Sequence, residues 1–274
     1  MGSTREDTRA WEGDTGSIVR AVDASLEGYL NGLGLARELD GAVRYALLGG
    51  GKRMRPVLAW LSAEAVGGRG EASLPAGCAI ELVHAFSLVH DDLPAMDDDD
   101  LRRGRPTLHR HAGEAMAILA GDAMLALAFG VLEGIGDVGL RARVQAELIA
   151  GTVGMINGQV YDTVGGFEAS LGAEDRLRLI HRNKTGALIR AACRAGGRLG
   201  GADASSLEAL TRFGEIVGLQ FQVLDDLLDA TGTSEEVGKR TGKDAAAGKL
   251  TYPGVLGVER TRAIARELHA EALG

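Results

Sequence analysis

The chain has few of the residues from which β-sheets are built. Only 4% of its 274 residues are aromatic, and apolar–polar alternation nowhere spans more than a few positions, so a sheet protein is not expected. With 45% hydrophobic and 25% charged side chains the composition is that of a globular protein, which excludes a disordered chain. The sequence therefore predicts an all-α fold with a substantial core.

The chain also has few cysteines, and fewer positively than negatively charged side chains. The two cysteines, Cys78 and Cys193, lie in apolar, alanine-rich segments without metal-ligand spacing, so we expect buried thiols in a reducing compartment, the cytoplasm. Thirty Lys and Arg against 38 Asp and Glu give a net charge of −8. Proteins that bind nucleic acid by neutralising phosphates usually have the opposite balance, so no nucleic-acid partner is expected.

No long hydrophobic run is left uninterrupted. Residues 1–17 are polar and do not resemble a signal peptide; we expect them to be disordered. Residues 115–132 form the only candidate for a membrane span, but Gly121 and Asp122 interrupt it, and its many alanines contribute little transfer free energy. We therefore expect no stable membrane insertion, and a buried bundle helix in this place.

Helical periodicity extends along the whole chain. Apolar residues recur at spacings of three and four, as in Leu207, Leu210, Phe213 and Val217. Glycine-rich stretches separate the predicted helices, and no Pro- or Ser-rich linker divides the chain. The sequence thus predicts a single domain over residues 1–274, a large helical bundle.

A first acidic cluster follows an apolar helix directly, with six aspartates in residues 91–100. Pro94 disfavours helical backbone at Leu93, so the helix is predicted to end just after Asp92. Aspartates at a helix C-terminus meet the negative end of the dipole and repel one another. A bound cation would offset both effects, but a solvated acidic loop explains the run equally well.

A second cluster shifts the balance towards a cation. Asp225 and Asp229 are four residues apart and share a helix face, with Asp226 beside them. An apolar approach through Phe221 and Leu224 precedes them, unlike a solvated face. Carboxylate oxygens suit Mg²⁺, which substrate phosphates usually complete. Two such clusters facing each other would hold two or three Mg²⁺ ions together with a diphosphate.

A diphosphate also needs cations from the protein, and four basic groups lie beside loops: GGGKRMRP at 49–56, LRRGRP at 101–106, GKRTGK at 238–243, and the pair Lys184–Thr185. Glycine-rich backbone lets N–H groups approach phosphate, and Lys or Arg supplies charge. The order of a Walker loop is absent. Each group alone is more often a solvated patch, but four of them in a net-acidic chain favour anion binding.

Together these segments resemble the trans-type isoprenyl diphosphate synthases, the polyprenyl synthetase family, and most of all the bacterial farnesyl diphosphate synthases. The match runs over residues 49–253 through GGGKRMRP, ELVHAFSLVHDDLPAMDDDDLRRGRPT, AILAGDAML, NGQ, KTGALI, FQVLDDLLD, GKRTGKD and GKLTYP. The resemblance implies an all-α bundle around a deep central cavity, and a homodimer.

The resemblance also implies roles for the matching acidic residues. Asp91 and Asp97 would bind two Mg²⁺ ions, with Asp92 in support. Asp225 would bind a third ion, with Asp226 and Asp229 in or near its shell. Mn²⁺ would be able to substitute for Mg²⁺.

The same resemblance divides the remaining site residues between two diphosphates. The allylic diphosphate would contact Arg102, Lys184 and Lys239, with Thr185 and Gln222 nearby. The isopentenyl diphosphate would contact Lys52, Arg55, His84 and Arg103, with Gly51 and Gln159 as weaker candidates. His90, which precedes the first motif, is expected to be structural.

The implied reaction is a prenyl transfer in three steps. Neutralisation of the leaving diphosphate lets the allylic C–O bond ionise to a delocalised carbocation. The isopentenyl double bond attacks it from a near-attack position, and a proton then leaves, in the absence of an obvious dedicated base, to the departing diphosphate. Apolar walls must exclude water, which would quench the cation.

Product length depends on the helix that carries the first motif. Phe86 lies five residues before Asp91, with Ser87 close to the same face. In bacterial short-chain members of the family an aromatic residue here is the cavity floor, and the inserted Pro94 and Ala95 strengthen the likeness. We expect farnesyl diphosphate (C15), with geranylgeranyl diphosphate (C20) as the alternative; an ordinary core role for Phe86 also stays open.

Two other functional classes fit less well. A class I terpene cyclase would replace the second aspartate cluster with an N/D-x-x-S/T-x-x-x-E pattern and would not need GGGKRMRP. A non-catalytic partner subunit typically lacks one aspartate cluster. Both clusters and the basic loop are present here, which favours an active synthase.

Overall fold

The computed structural model describes residues 3–231 and 249–273, and this part of the chain is all-α apart from one short hairpin, as the sequence predicts. The α-helices are α1 (Ser3–Asn31), α2 (Arg37–Leu47), α3 (Met54–Ala65), α4 (Leu74–Asp91), α5 (Leu108–Ala112), α6 (Glu114–Gly130), α7 (Val138–Thr163), α8 (Ala173–His181), α9 (Ala187–Gly200), α10 (Ala204–Thr231), α11 (Tyr252–Leu256) and α12 (Val258–Leu273). Short 3₁₀ turns cover Gly70–Ser73 and Val131–Gly134, and a π-helix covers Arg182–Gly186.

Helix α4 forms the centre of the bundle. Ile80 and Leu82 point to opposite sides of it, yet their exposures are 1% and 0%, as expected for a helix that is apolar all round. It packs against α1, α2, α3, α6, α7 and α9. Because α4 ends at Asp91, within a residue of the predicted end, the first acidic cluster is held rigidly at its C-terminus.

A two-stranded hairpin follows the acidic loop, a feature that the sequence analysis did not predict. Strands β1 (Leu101–Arg102) and β2 (Arg105–Pro106) pair antiparallel. Between them Arg103 and Gly104 have φ angles of 53° and 73°, the left-handed backbone of a two-residue turn that suits right-twisted strands. This tight turn fixes Arg102 and Arg103 next to α4.

Helix α1 begins earlier than the sequence suggests. Residues 1–17 were expected to be disordered, but the helix starts at Ser3. Its residues Ile18, Val22, Leu26 and Leu30 recur every four positions and are 0–7% exposed. Once this stripe is packed on the core, extending the helix towards its N-terminus adds one hydrogen bond for each residue fixed.

Two helical stretches, Gly70–Asp91 and Glu114–Gly134, are long and apolar enough to cross a membrane by length and composition alone. The first is the central helix of the bundle, and 67% of its apolar window is buried. The second corresponds to α6, where the figure is 39%. Core helices pass the same test, so this is weak support for a membrane span; the exposed apolar face of α6 needs another explanation.

The π-helix interrupts an otherwise continuous helical stretch between α8 and α9, and glycines hold it on two sides. A Cβ atom at Gly158 of α7 would lie 2.0 Å from the backbone nitrogen of Lys184, and one at Gly218 of α10 would lie 2.7 Å from the Cα of Gly186. Only glycine permits these approaches. The two neighbouring helices therefore clamp the turn that carries Lys184 and Thr185, and π-turns are frequent at functional sites.

Candidate active site

A cavity of about 560 Å³ opens between α4, α7, the π-helix and α10. It gathers residues that lie far apart in sequence and that the sequence analysis singled out: Arg55, His84, Phe86, Ser87, His90, Asp91, Arg102, Arg103, Gln159, Lys184, Thr185 and Asp225. Its remaining wall is largely apolar and includes Met96, Met155, Ile156, Val160, Val164 and Phe221. The cavity thus combines charged groups with a hydrophobic wall.

Asp91 and Asp225, one from each acidic cluster, line this same cavity. The pKa of Asp91 is raised to about 6, chiefly by burial and also by the charges of Asp97 and Asp92, while Lys184 and Arg102 oppose the rise. Burial destabilises the ionised form of this carboxylate, and a nearby cation would stabilise it.

Asp92 has a different place from the one predicted for it. It was expected beside the metal ions, but both its oxygens accept hydrogen bonds from Arg102, at 2.7–3.0 Å. Its side chain is 3% exposed, because the helix turns it away from the mouth of the cavity and the hairpin brings the guanidinium to it. The carboxylate therefore orients Arg102, a predicted diphosphate ligand, and is already occupied.

Asp162 and Lys249 join the acidic cluster although the sequence analysis did not name them. Lys249 Nζ lies 2.9 Å from Asp97 Oδ1 and 3.7 Å from Asp162 Oδ2. Lys184 Nζ lies 2.7 Å from the same Asp162 oxygen. Asp162 follows Gln159 by three residues on α7, and Lys249 is the lysine of GKLTYP, so both lay within or next to motifs that were recognised. These two lysines and Asp162 form a charged rim beside Asp91.

The donor set suits a metal ion that the substrate completes. Within residues 3–231 and 249–273, no three His, Cys, Asp or Glu side chains are gathered closely enough to hold a metal by themselves. Mg²⁺ is usually bound by one or two carboxylates together with substrate phosphates and water. Asp91 and Asp225, which line one cavity, fit Mg²⁺ in the presence of a diphosphate, and Asp97 lies on the loop that follows Asp91.

The second acidic cluster is divided in two by its helix. Asp225 faces the cavity, whereas Asp226, expected in or near the metal shell, is 3% exposed and accepts hydrogen bonds from Gln222 and from the backbone of Tyr252. Adjacent helix positions are about 100° apart, so both cannot face the same cavity. Asp229 lies one turn beyond Asp225 and does not line the cavity within the described part of the chain.

A second cavity, of about 780 Å³, adjoins the first and shares Arg55, His84, Arg103 and Phe221 with it. It is also lined by Gly51 and Lys52, so the residues predicted for isopentenyl diphosphate come together here. Gly51 has a φ of 144°, and a Cβ there would lie 2.7 Å from Arg103 Nη1. Arg103 in turn donates to the carbonyl of Gly50, which ties the loop to the hairpin.

The charges around this second cavity are strongly positive. The pKa of His84 lies well below its usual value because of burial and of the nearby Arg55 and Arg103. Burial and Arg103 likewise lower the pKa of Arg55, although Glu81 opposes them. His84 is therefore a neutral hydrogen-bonding group among arginines, and the pocket favours an anion.

Arg53, which the sequence analysis did not assign, fixes the loop that carries Lys52. Its guanidinium lies 2.8 Å from Asp23 on α1 and 2.9 Å from Glu81 on α4, and it also donates to the carbonyl of Leu47. The side chain is 2% exposed. A buried arginine with three partners on three elements holds the glycine-rich loop in one conformation.

Phe86, the predicted chain-length residue, lies at the cavity with Ser87. It is 7% exposed, and its ring packs edge-on against His90 at 5.6 Å. His90 Nε2 lies 3.2 Å from the carbonyl of Ile118, and Gly121 leaves the room for it, since a Cβ there would be 2.0 Å from Nε2. His90 thus packs against the Phe86 ring and helps to fix its position.

Four further predicted residues have separate outcomes. Thr185 donates to Gln222 at 2.9 Å, so that Gln222 joins the π-helix to α10. Gln159 lines the first cavity and donates to Thr163 at 3.3 Å. Lys239 lies outside the described residues, and its expected contact with the allylic diphosphate stays a prediction.

Comparison with known proteins identifies the family of the chain. Residues 36–274 match the sequence profile of the polyprenyl synthetase family. The chain is 47% identical over 239 residues to geranylgeranyl pyrophosphate synthase 11, chloroplastic, of Arabidopsis thaliana, covering 84% of this chain and 67% of that relative. The alignment thus covers about two thirds of the plant protein's length.

Two solved structures share the fold. An FPP/GFPP synthase from Zymomonas mobilis superposes with a TM-score of 0.83 at 33% identity, covering 96% of this chain and 91% of that one. A geranyltranstransferase from Thermotoga maritima gives a TM-score of 0.79 at 29% identity, with coverages of 95% and 90%. The resemblance first carried by the aspartate and glycine motifs is confirmed: the chain belongs to the polyprenyl synthetase family and is a prenyltransferase of isoprenoid biosynthesis.

Proposed function

We propose that this prenyltransferase condenses isopentenyl diphosphate with an allylic diphosphate. The proposal rests on one observation: Asp91 and Asp225 line the same cavity, together with Lys184 and Arg102. The second cavity, which Arg55 and Arg103 line, adjoins it. One diphosphate fits between the two carboxylates and the first pair of cations. The second fits the neighbouring positive pocket, which places its alkene next to the first substrate.

Magnesium fits a donor set in which Asp91 and Asp225 line one cavity and substrate oxygens complete the coordination of the ion. Asp91, Asp97 and Asp225 would hold the Mg²⁺, whose positive charge would lower the barrier to cleavage of the C–O bond of the leaving diphosphate. Lys184 and Arg102 add charge-assisted hydrogen bonds to the same oxygens.

The chain's own residues carry the other parts of the reaction. Arg102 is oriented by its hydrogen bonds to both oxygens of Asp92, so little reorganisation is needed as charge develops on the leaving group. Lys52, Arg55 and Arg103 hold the isopentenyl diphosphate, and neutral His84 offers it a hydrogen bond. Met155, Ile156 and Val160 line the cavity and exclude water from the allylic cation. The final proton leaves to the departing diphosphate.

The proposed product is farnesyl diphosphate. Phe86, held by His90 at the cavity wall, limits the space along α4 available to a lengthening chain. The second candidate is geranylgeranyl diphosphate, which the names of the Arabidopsis relatives favour at least as well. The two candidates differ by one round of elongation at the same site.

Product analysis tests this proposal. The purified protein is incubated with Mg²⁺, isopentenyl diphosphate and either dimethylallyl or geranyl diphosphate, and the dephosphorylated products are identified by mass. A C15 alcohol from both primers is the expected result. A C20 alcohol would replace the product but keep the reaction, whereas no elongation from either primer would overturn the proposed function.

A homodimer is also part of the proposal. Helix α6 carries Glu114 and Asp122 as its only charged residues, yet Ile118 and Leu119 are 44% and 55% exposed, and on α7 Val153 is 51% exposed. Apolar surface of this kind marks an interaction site, and a second copy of the chain is the occupant proposed. One Arabidopsis relative is named as the large subunit of a heterodimeric synthase, so a different small subunit is the rival occupant.

Sedimentation equilibrium distinguishes these occupants. The wild-type chain is expected to form a dimer that Leu119→Glu dissociates, while Val138→Glu, a control at a position that is 67% exposed at the start of α7, leaves it intact. A wild-type monomer would reject the homodimer.

The cytoplasmic location and the absence of membrane insertion stay predictions. Cys78 and Cys193 are both unpaired and buried, which agrees with a reducing compartment. A fractionation of expressing cells that found the protein in the membrane pellet would contradict both.

A further inference from the structure

We propose that Asp226, the middle carboxylate of the second cluster, is a positioning residue and not a metal ligand. It joins the segment that carries Lys249 to the π-helix that carries Thr185, so that both flank the diphosphate site. This inference rests on the proposed function for its kinetic consequences, but its structural core does not depend on it.

Each oxygen of Asp226 already has a donor. Oδ1 accepts from Gln222 Nε2 at 3.0 Å, and Oδ2 accepts from the backbone N–H of Tyr252 at 2.9 Å. His181 Nε2 lies 3.4 Å from Oδ2. With a side chain that is 2% exposed, the carboxylate is enclosed by these partners, whereas its neighbour Asp225 lines the cavity.

One arm of this network leads to the π-helix. The side-chain nitrogen of Gln222 donates to Asp226. The side-chain oxygen of Gln222 therefore points towards Thr185 and accepts a hydrogen bond from the Thr185 hydroxyl at 2.9 Å. Without Asp226 the Gln222 amide would be able to rotate. The carboxylate therefore sets the orientation of an amide that in turn sets the Thr185 hydroxyl at the cavity wall.

The other arm leads to the segment before α11. Tyr252 is the first residue of α11, and its amide is one of the groups at a helix start without a partner inside the helix. Asp226 supplies that partner, and the Tyr252 ring stacks on His181 at 5.4 Å. Lys249, three residues earlier, forms an ion pair with Asp97, at 2.9 Å. Fixing Tyr252 thus fixes where Lys249 enters the site.

The burial of Tyr252 makes this arm rigid. Its exposure is 1%, and it packs in a cluster with Leu177, Val223 and Leu227. Its hydroxyl has no hydrogen-bond partner among the described residues, so the polar attachment of this residue runs through its backbone. The Tyr252 side chain and the Asp226 carboxylate can therefore be tested separately.

Hydrogen exchange tests the structural core without any turnover. In Asp226→Ala the Tyr252 amide is expected to exchange at least about tenfold faster than in the wild type, since it loses the one acceptor that it has among the described residues. Asp225→Ala should leave this rate unchanged, because Asp225 faces the cavity. Equal exchange in the wild type and Asp226→Ala would overturn the inference, whether or not the protein elongates prenyl chains.

Binding and kinetics separate positioning from metal ligation. Mg²⁺ is titrated calorimetrically at saturating inorganic diphosphate, and the Mg²⁺ midpoint of Asp226→Asn should stay within about twofold of the wild type, while that of Asp225→Asn rises at least about tenfold. The KM of Asp226→Asn for the allylic diphosphate should rise about tenfold. A Mg²⁺ midpoint shifted as far in Asp226→Asn as in Asp225→Asn would make Asp226 a ligand and overturn the inference.

Two control variants account for simple loss of stability. Leu177→Ala weakens the hydrophobic cluster around Tyr252 but removes none of the groups that donate hydrogen bonds to Asp226, so it should lower the melting temperature without changing the allylic KM. Tyr252→Phe removes only the unpartnered hydroxyl and should keep the wild-type amide exchange. If Leu177→Ala raised the allylic KM as much as Asp226→Asn, the effect would be one of stability alone and the inference would fail.

Discussion

Arg102 donates hydrogen bonds to both oxygens of Asp92, with N···O distances of 2.7–3.0 Å. The pair joins the end of α4 to the hairpin, and burial of the carboxylate leaves Arg102 as its main source of compensating charge. A bidentate guanidinium–carboxylate pair fixes orientation as well as distance. The arginine is therefore set towards the cavity before any substrate arrives.

Asp92→Asn should impair use of the allylic diphosphate without raising the need for Mg²⁺. The asparagine keeps one acceptor but loses the charge, and hydrogen bonds to charged groups contribute roughly 1.5–3 kcal/mol, or about 10- to 100-fold in kcat/KM. Steady-state kinetics with varied allylic diphosphate measure this loss. Asp100→Asn, which breaks an exposed pair with Arg110, is the matched control and should change little.

A contradictory outcome for Asp92→Asn is easily recognised. If its Mg²⁺ requirement rose as steeply as that of Asp91→Asn, Asp92 would be a metal ligand after all. The original expectation from the motif would then hold, and the ion pair with Arg102 would be a feature of the metal-free enzyme.

Phe86→Ala should lengthen the product. Removing the ring from the cavity wall opens space along α4, so a C15 product should shift towards C20 or longer chains, as read by mass after dephosphorylation. The change also leaves a hole in the core, at a cost of about 3–5 kcal/mol, and assays at low temperature keep the protein folded. Leu148→Ala, which is buried away from the cavity, is the control for stability; an unchanged product in Phe86→Ala would leave that residue a core residue only.

Much of the fold follows from local pattern. The end of α4 could be predicted because Pro94 acts on the residue next to it, and the all-α class because apolar spacing repeats throughout the chain. The hairpin at 101–106 escaped prediction, since two-residue strands carry no alternation to detect. The extent of α1 escaped as well, because packing of its Ile18–Leu30 stripe stabilises polar turns that have little pattern of their own.

The sequence could predict which residues lie at the site where the charge and type of a side chain were enough to select it. Asp91, Asp225, Lys184 and Arg103 all lie at the cavities where the motifs placed them. What the motifs could not reveal is which way each side chain points in space. Asp92 and Asp226 are chemically identical to their neighbours. Helix rotation separates the members of each pair, but which member faces the cavity depends on tertiary contacts, here those with Arg102 and Tyr252.

Glu147 on α7 forms a further charge network that should make stability depend on pH. Burial alone would raise its pKa, but hydrogen bonds from Arg194 and Arg198 outweigh this and hold the pKa below its usual value. A carboxyl group with a depressed folded-state pKa stabilises the fold above its unfolded-state pKa, and this contribution is lost as pH falls through the folded-state value. The network therefore stabilises the protein at neutral pH and not in acid.

Glu147→Gln should accordingly lower the free energy of unfolding at pH 7 by roughly 1–3 kcal/mol, and by less at pH 3.5, which lies below the usual pKa of a glutamate. Urea unfolding at the two pH values measures both differences. Glu133→Gln breaks the pair with Arg141 in which the glutamate is 73% exposed, and should cost less than about 1 kcal/mol. A loss in Glu147→Gln that did not depend on pH would show that the network acts through packing and not through charge.

The most direct test of the whole account is prenyl chain elongation by the wild type beside Asp91→Asn and Asp225→Asn, each with saturating Mg²⁺, isopentenyl diphosphate and geranyl diphosphate. Each variant removes one carboxylate from one face of the same cavity. We expect the wild type to elongate the primer and both variants to lose several orders of magnitude in rate, since each loses a proposed metal ligand. Near-normal turnover in either variant would contradict the claim that the two aspartate clusters act together on one diphosphate.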